Sequence, residues 1–151
     1  MTDHHAFMRR AYTLACESLE EGSVPVGSVI VLAGAIVGEG RNISAQSGNM
    51  RDHAEIRALD DALRRTGLTS FKDSGAVCYS TLESCPMCLW SMHLMGIETV
   101  VLGATFAGIG RTDFGGYSIE AMSALTTRKM AVVHGVMTEE SSALAKAYKP
   151  H

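Results

Sequence analysis

No apolar run in this sequence approaches the roughly 20 residues that a membrane-spanning helix needs, so a helical membrane protein is excluded. The start, Met1-Thr2-Asp3-His4-His5, has no basic stretch leading into an apolar one. No secretory leader is expected, and a cytoplasmic setting is. Four cysteines without a leader point to free or metal-bound thiols rather than a disulfide framework. An excess of basic charge is also missing. The net charge is −3, which argues against a nucleic-acid partner. Repeats, low-complexity tracts and linkers are absent, so 151 residues with 46% hydrophobic and 19% charged side chains are expected to form a single domain over 1–151.

What is present reads as alternating strands and helices. Phe7, Met8, Ala11, Tyr12, Leu14, Ala15 and Leu19 have the spacing of a helix over about 5–19, with Cys16 as a buried small hydrophobe near its apolar face. Val29–Leu32 and Ala35–Gly40 flank an Ala33-Gly34 turn and predict a hairpin. Residues 43–52 have turn chemistry and predict a loop. A second helix spans about 52–65, with apolar residues on more than one side and Arg64-Arg65 near its end. A strand over 75–80, a helix from Pro86 to Met95 and a strand over 99–103 predict a right-handed crossover joining parallel strands. Residues 104–117 are glycine-rich and predict an active-site loop or disorder. A short helix over 118–124, a strand over 130–133 and a helix capped by Thr138 and running to Tyr148 complete the chain.

Cys85-Pro86-Met87-Cys88 is the most informative stretch. Proline after the first cysteine marks the first turn of a helix, where its missing N–H costs nothing. Cysteines three apart then reach one point, near unpaired N–H groups and the positive end of the helix dipole, which favour thiolates. Two thiolates are too few for a metal site. His53 supplies a third ligand, and one imidazole with two thiolates leaves a tetrahedral zinc with a fourth position for water. Bound water there has its pKa pulled toward about 7. Glu55, two residues beyond His53, is placed to take its proton and pass it on. A structural zinc would instead need Cys78 or His93 as a fourth ligand, and it would leave Glu55 without a duty.

His53-Ala54-Glu55 followed by Ser80-Thr81-Leu82-Glu83-Ser84-Cys85-Pro86-Met87-Cys88 resembles the zinc motif of the cytidine and deoxycytidylate deaminase superfamily. The chain is most similar to the small nucleobase deaminases, such as guanine or cytosine deaminase, and to the tRNA adenosine deaminases. The resemblance runs from about Pro25 to Gly103. It implies a three-layer α/β/α sandwich around a five-stranded mixed sheet, and a homodimer. It also implies that His53, Cys85 and Cys88 hold zinc, that Glu55 is the proton shuttle, and that Asn42 binds the base. The reaction implied is attack by hydroxide on the carbon that carries an exocyclic amine, which leaves as ammonia.

The chain departs from the pattern at two places. Ser84 stands where most members have proline before the first cysteine. Trp90-Ser91 replaces a small Gly-Ala pair, and Trp90 reads as a pocket wall, a subunit contact or a core residue. Asp113, in the glycine-rich loop, meets a substrate amine or ring N–H, or is a solvated turn residue. Few basic residues follow Gly103, namely Arg111, Arg128, Lys129, Lys146 and Lys149. The expected substrate is therefore a free nucleobase or similar small amino-heterocycle; the alternative is adenosine in tRNA, converted to inosine. Loop 104–117 and the C-terminal tail are expected to choose between purine and pyrimidine. A zinc-stabilised binding module without turnover is the reading from another class, and Glu55 argues against it. A thioredoxin-type redox pair would not call for His53 and Glu55.

Overall fold

The computed structural model describes residues 2–150. Its elements are α1 (His4–Glu20), β1 (Gly27–Leu32), β2 (Ala35–Arg41), α2 (Ser44–Ser47), α3 (Ala54–Thr66), β3 (Val77–Leu82), α4 (Pro86–Met95), β4 (Thr99–Ala104), α5 (Ile119–Ser123), β5 (Ala131–Val133) and α6 (Thr138–Ala147). The strands form one sheet in the order β2-β1-β3-β4-β5. β1 runs antiparallel to both β2 and β3, whereas β3, β4 and β5 are parallel. This is the expected mixed five-stranded sheet.

Side chains alternate across the sheet and so sort the helices into two layers. Val29, Val31, Tyr79 and Val101 meet Met8, Ala11 and Leu14 of α1. Ile30, Cys78, Val100 and Leu102 face the other way, onto Ala58, Leu59 and Ala62 of α3, Leu89 and Met92 of α4 and Ile119 of α5. The central strands are buried on both faces, which is why they read as continuous apolar runs. The antiparallel start of β1 lies beside the ends of β2, β3 and β4. Main-chain N–H of Gly27 donates to Thr81 Oγ1 across that end (3.1 Å).

Four local expectations change. Residues 43–52 contain one helical turn, α2, closed by Gly48 in the left-handed region. A single turn is too short to have a periodic signature. α6 has Met137 at its cap position, because the Thr138 hydroxyl donates to the Gly103 carbonyl and ties the helix to β4. Segment 105–118 is ordered by turns and by Phe106, Ile109, Phe114 and Tyr117, which pack together around Leu82. Cys16 is half-buried rather than buried.

Candidate metal centre and active site

His53 and Cys85 occupy equivalent places in the fold. Each is the N-cap of a helix, His53 of α3 and Cys85 of α4, and each has extended backbone dihedrals. Cys88 follows one turn inside α4. α4 starts three residues after β3. α3 does not directly follow its strand: residues 42–53, with α2, intervene. Its N-terminus reaches the same sheet end because Gly38 and Gly40 of β2 let it pack backbone against backbone. A Cβ on Gly40 would stand 2.5 Å from Ala58 N, and one on Gly38 2.7 Å from Ala62 N. Two positive helix ends thus converge on one point.

His53 Nδ1 lies 3.6 Å from Cys85 Sγ and 3.4 Å from Cys88 Sγ. A tetrahedral ion with ordinary zinc–sulfur and zinc–nitrogen bonds separates such ligands by about 3.6 Å, so the donor set fits a metal. The Cys85 thiol is held down to about 4, chiefly by a hydrogen bond from Cys88 and also by His53. Cys88 is pushed up by its bond to Cys85 and by burial, and His53 is raised chiefly by its bond to Cys85. The cluster already stabilises a thiolate. Neither proposed fourth ligand joins it among the described residues. Cys78 is buried in β3 beside the Ser28 hydroxyl, and burial pushes its thiol up to about 12. His93 stacks on Trp90, with ring centroids 4.7 Å apart.

Glu55 is in the first turn of α3, is 3% exposed, and lines a cavity of about 200 Å³ with His53 and Cys85. The Ser80 and Ser84 hydroxyls both lie 3.1 Å from its Oε1. Oε1 is thus the carboxylate oxygen that both serines engage. Burial raises the carboxyl above its ordinary value. The extended N-cap geometry of His53 removes the helical-face restriction that the two-residue spacing suggested.

Asn42 is nearly buried on the cavity wall, just past β2. Its Oδ1 accepts from the Ser44 N–H (3.0 Å) and the Ser44 hydroxyl (2.8 Å). A main-chain N–H only donates, so the oxygen is fixed there, and Nδ2 has no hydrogen-bond partner among the described residues. Asp113 lies elsewhere: its side chain is 60% exposed and lines a neighbouring groove. Arg111 Nε and Nη2 donate to its two oxygens at 2.9 and 2.7 Å. Arg111 does line the cavity, with its guanidinium 4.8 Å from the Phe114 ring centre and 5.2 Å from that of Phe106. Trp90 is 43% exposed on α4 and is neither a core residue nor a wall of this cavity.

Two functional residues escape a reading of sequence. Buried Glu83 accepts the N–H of Phe106 through Oε1 and that of Ile119 through Oε2, both at 3.0 Å, and so pins both ends of segment 105–118. Tyr117 donates its hydroxyl to the Ser84 carbonyl (2.5 Å). Partners 23 and 36 residues away leave no local signal.

Comparison with known proteins agrees with this geometry. The model of the cytidine and deoxycytidylate deaminase zinc-binding region matches residues 1–104. The tRNA-specific adenosine deaminase of Bacillus subtilis (strain 168) is 32% identical over 98% of this chain and 89% of its own length. The guanine deaminase of the same organism is 39% identical over 74% of this chain and 71% of its own. A solved structure from a study of A-to-I editing by tRNA:A34 deaminases superposes with a TM-score of 0.79 at 27% identity, covering 92% of this chain and 98% of that one. With two convergent helix starts, a thiolate-stabilising ligand set and a buried glutamate beside it, the chain belongs to the cytidine and deoxycytidylate deaminase family and is a hydrolytic C–N deaminase.

Proposed function

We propose that this protein is a zinc-dependent deaminase of a free nucleobase or similar small amino-heterocycle. The observation that carries the reading is the arrangement around one small cavity. His53 and Cys85 of the ligand cluster, Glu55 and Asn42 all line about 200 Å³, and Cys88 stands behind them against His53. Pockets for drug-sized ligands usually hold about 300–1,000 Å³, so this one suits a single ring system. Zinc, held by His53, Cys85 and Cys88, would supply Lewis acidity and an activated water. Glu55 takes one proton from the attacking water and delivers it to a ring nitrogen, then takes the second from the new C–OH group and delivers it to the amine, which leaves as ammonia. Asn42 Nδ2 donates to a carbonyl oxygen or ring nitrogen of the base and sets its orientation.

A second reading, adenosine in an RNA loop, is favoured by one observation. A groove of about 690 Å³ adjoins the cavity, shares Val24, Leu82 and Arg111 with it, and carries Lys146 and Lys149. Three of the five late basic residues thus gather on one surface. The experiment is ammonia release by zinc-loaded protein from guanine, cytosine, adenine, their nucleosides and a tRNA anticodon stem-loop, with E55A as control. Turnover of a free base, lost in E55A, supports the first reading. Turnover of the stem-loop alone replaces it with the second. Silence with zinc bound refutes both.

We also propose a homodimer formed through α4. Trp90 and Leu94 are exposed four residues apart, which places them on one helical face. The four cysteines all stand free, which supports a reducing, cytoplasmic setting.

A further inference from the structure

Two hydroxyls approach Glu55 Oε1, and proton bookkeeping separates them. Ser80 Oγ also lies 2.7 Å from the Leu82 carbonyl. A carbonyl only accepts, and a serine hydroxyl has a single proton, so Ser80 gives that proton to Leu82. Nothing remains for Ser80 to donate to the carboxylate. Ser84 Oγ has Glu55 Oε1 as its one hydrogen-bond partner among the described residues, and its side chain is wholly buried, so it has no water to turn to. Its main chain is held as well, because its carbonyl accepts from Tyr117.

We infer that Ser84 is a positioning residue for the reaction: its hydroxyl fixes Oε1 of Glu55 and thereby turns Oε2 into the cavity. The role belongs to this chain in particular. Proline, the residue the motif usually has at this place, offers no hydroxyl, so a carboxylate there must be held by other groups. A serine immediately before a metal-ligating cysteine also couples two placements, since the turn that aims Cys85 aims the donor to Glu55.

The inference rests on the deaminase reading for its kinetic arm only. In the zinc-loaded protein, S84A is compared with wild type on whichever member of the panel (guanine, cytosine, adenine, their nucleosides or the anticodon stem-loop) is turned over. The expected result is a fall in kcat of roughly tenfold with KM within about twofold and zinc content unchanged, because a charge-assisted bond that orients the shuttle is lost while the base contacts stay. The second arm needs no substrate. Urea midpoints are measured for wild type, S84A, E55A and the double variant, and S84A should lower the midpoint clearly in the wild type and little in the E55A background. An unchanged kcat, or an equal midpoint shift in both backgrounds, overturns the inference. If wild type turns over no member of the panel, the function proposal falls and the urea cycle alone decides the role of Ser84.

Discussion

Gly40 of β2 lies against Ala58 of α3 with no side chain between them: a Cβ on the glycine would stand 2.5 Å from the Ala58 nitrogen. The helix cannot back away without moving His53 at its N-cap. G40A is therefore expected to destabilise the protein by about 2 kcal/mol or more and to lower zinc affinity with it. Urea titration with a competitive chelator assay measures both, and a G40A protein with wild-type stability would show that the helix shifts freely.

Glu55 gives a prediction of opposite sign for stability and activity. Holding a carboxylate at 3% exposure is costly, and the amide of glutamine keeps its shape without the charge. E55Q should raise thermal stability while kcat falls by roughly 10²–10⁴-fold. A destabilised E55Q would mean that the carboxylate is a structural anchor.

Glu83 is such an anchor. E83Q replaces one acceptor by an amide nitrogen facing a main-chain N–H, Phe106 or Ile119. The expected cost is about 1.5–3 kcal/mol. Hydrogen exchange should quicken at residues 106–119 before it does in the sheet; uniform quickening throughout would contradict the local role.

Removing the metal should be reversible and specific. Chelator dialysis is expected to lower Tm by roughly 5 °C or more, and added zinc to restore it. C88S should show neither change. A Tm indifferent to chelator in the wild type would count against a bound zinc.

Glu39 links the sheet edge to α1 and α3. Its carboxyl is held below the ordinary value chiefly by a hydrogen bond from Arg10, with Arg65 adding to it. A lowered native value means a contribution complete above the ordinary glutamate range, near 4.3, and lost as pH falls through the native one. The urea midpoint of E39Q should thus drop less than that of wild type between about pH 6 and about pH 3. A steeper drop in the variant would reverse the sign.

The strands and the His53–Cys85–Cys88 cluster are legible in the sequence for simple reasons. β1, β3 and β4 are apolar on both faces, and His53, Cys85 and Cys88 sit at helix starts that proline and turn chemistry mark. What escapes is tertiary. Asp113 reads as a substrate contact or a solvated turn residue, and its pairing with Arg111, two residues away, and the stacking of Arg111 on Phe106 and Phe114 appear only in three dimensions. Lys146 and Lys149 look scattered from Arg111 along the chain, yet they share one groove with it. Trp90 reads equally as core residue or as pocket wall or subunit contact, and helix phase alone does not say that α4 turns it outward. Arg64 and Arg65 pair with Asp61 on their own helix.

Because Glu83 fastens Phe106 and Ile119 while residues between them make the rim beside Arg111 and Phe114, segment 107–118 is a replaceable cartridge. Its clasp lies next to Cys85 but outside the ligand set. Insertions, deletions or a transplanted loop from a relative would change what the rim admits, and those that keep Tyr117 would keep the hydrogen bond that holds the Ser84 carbonyl.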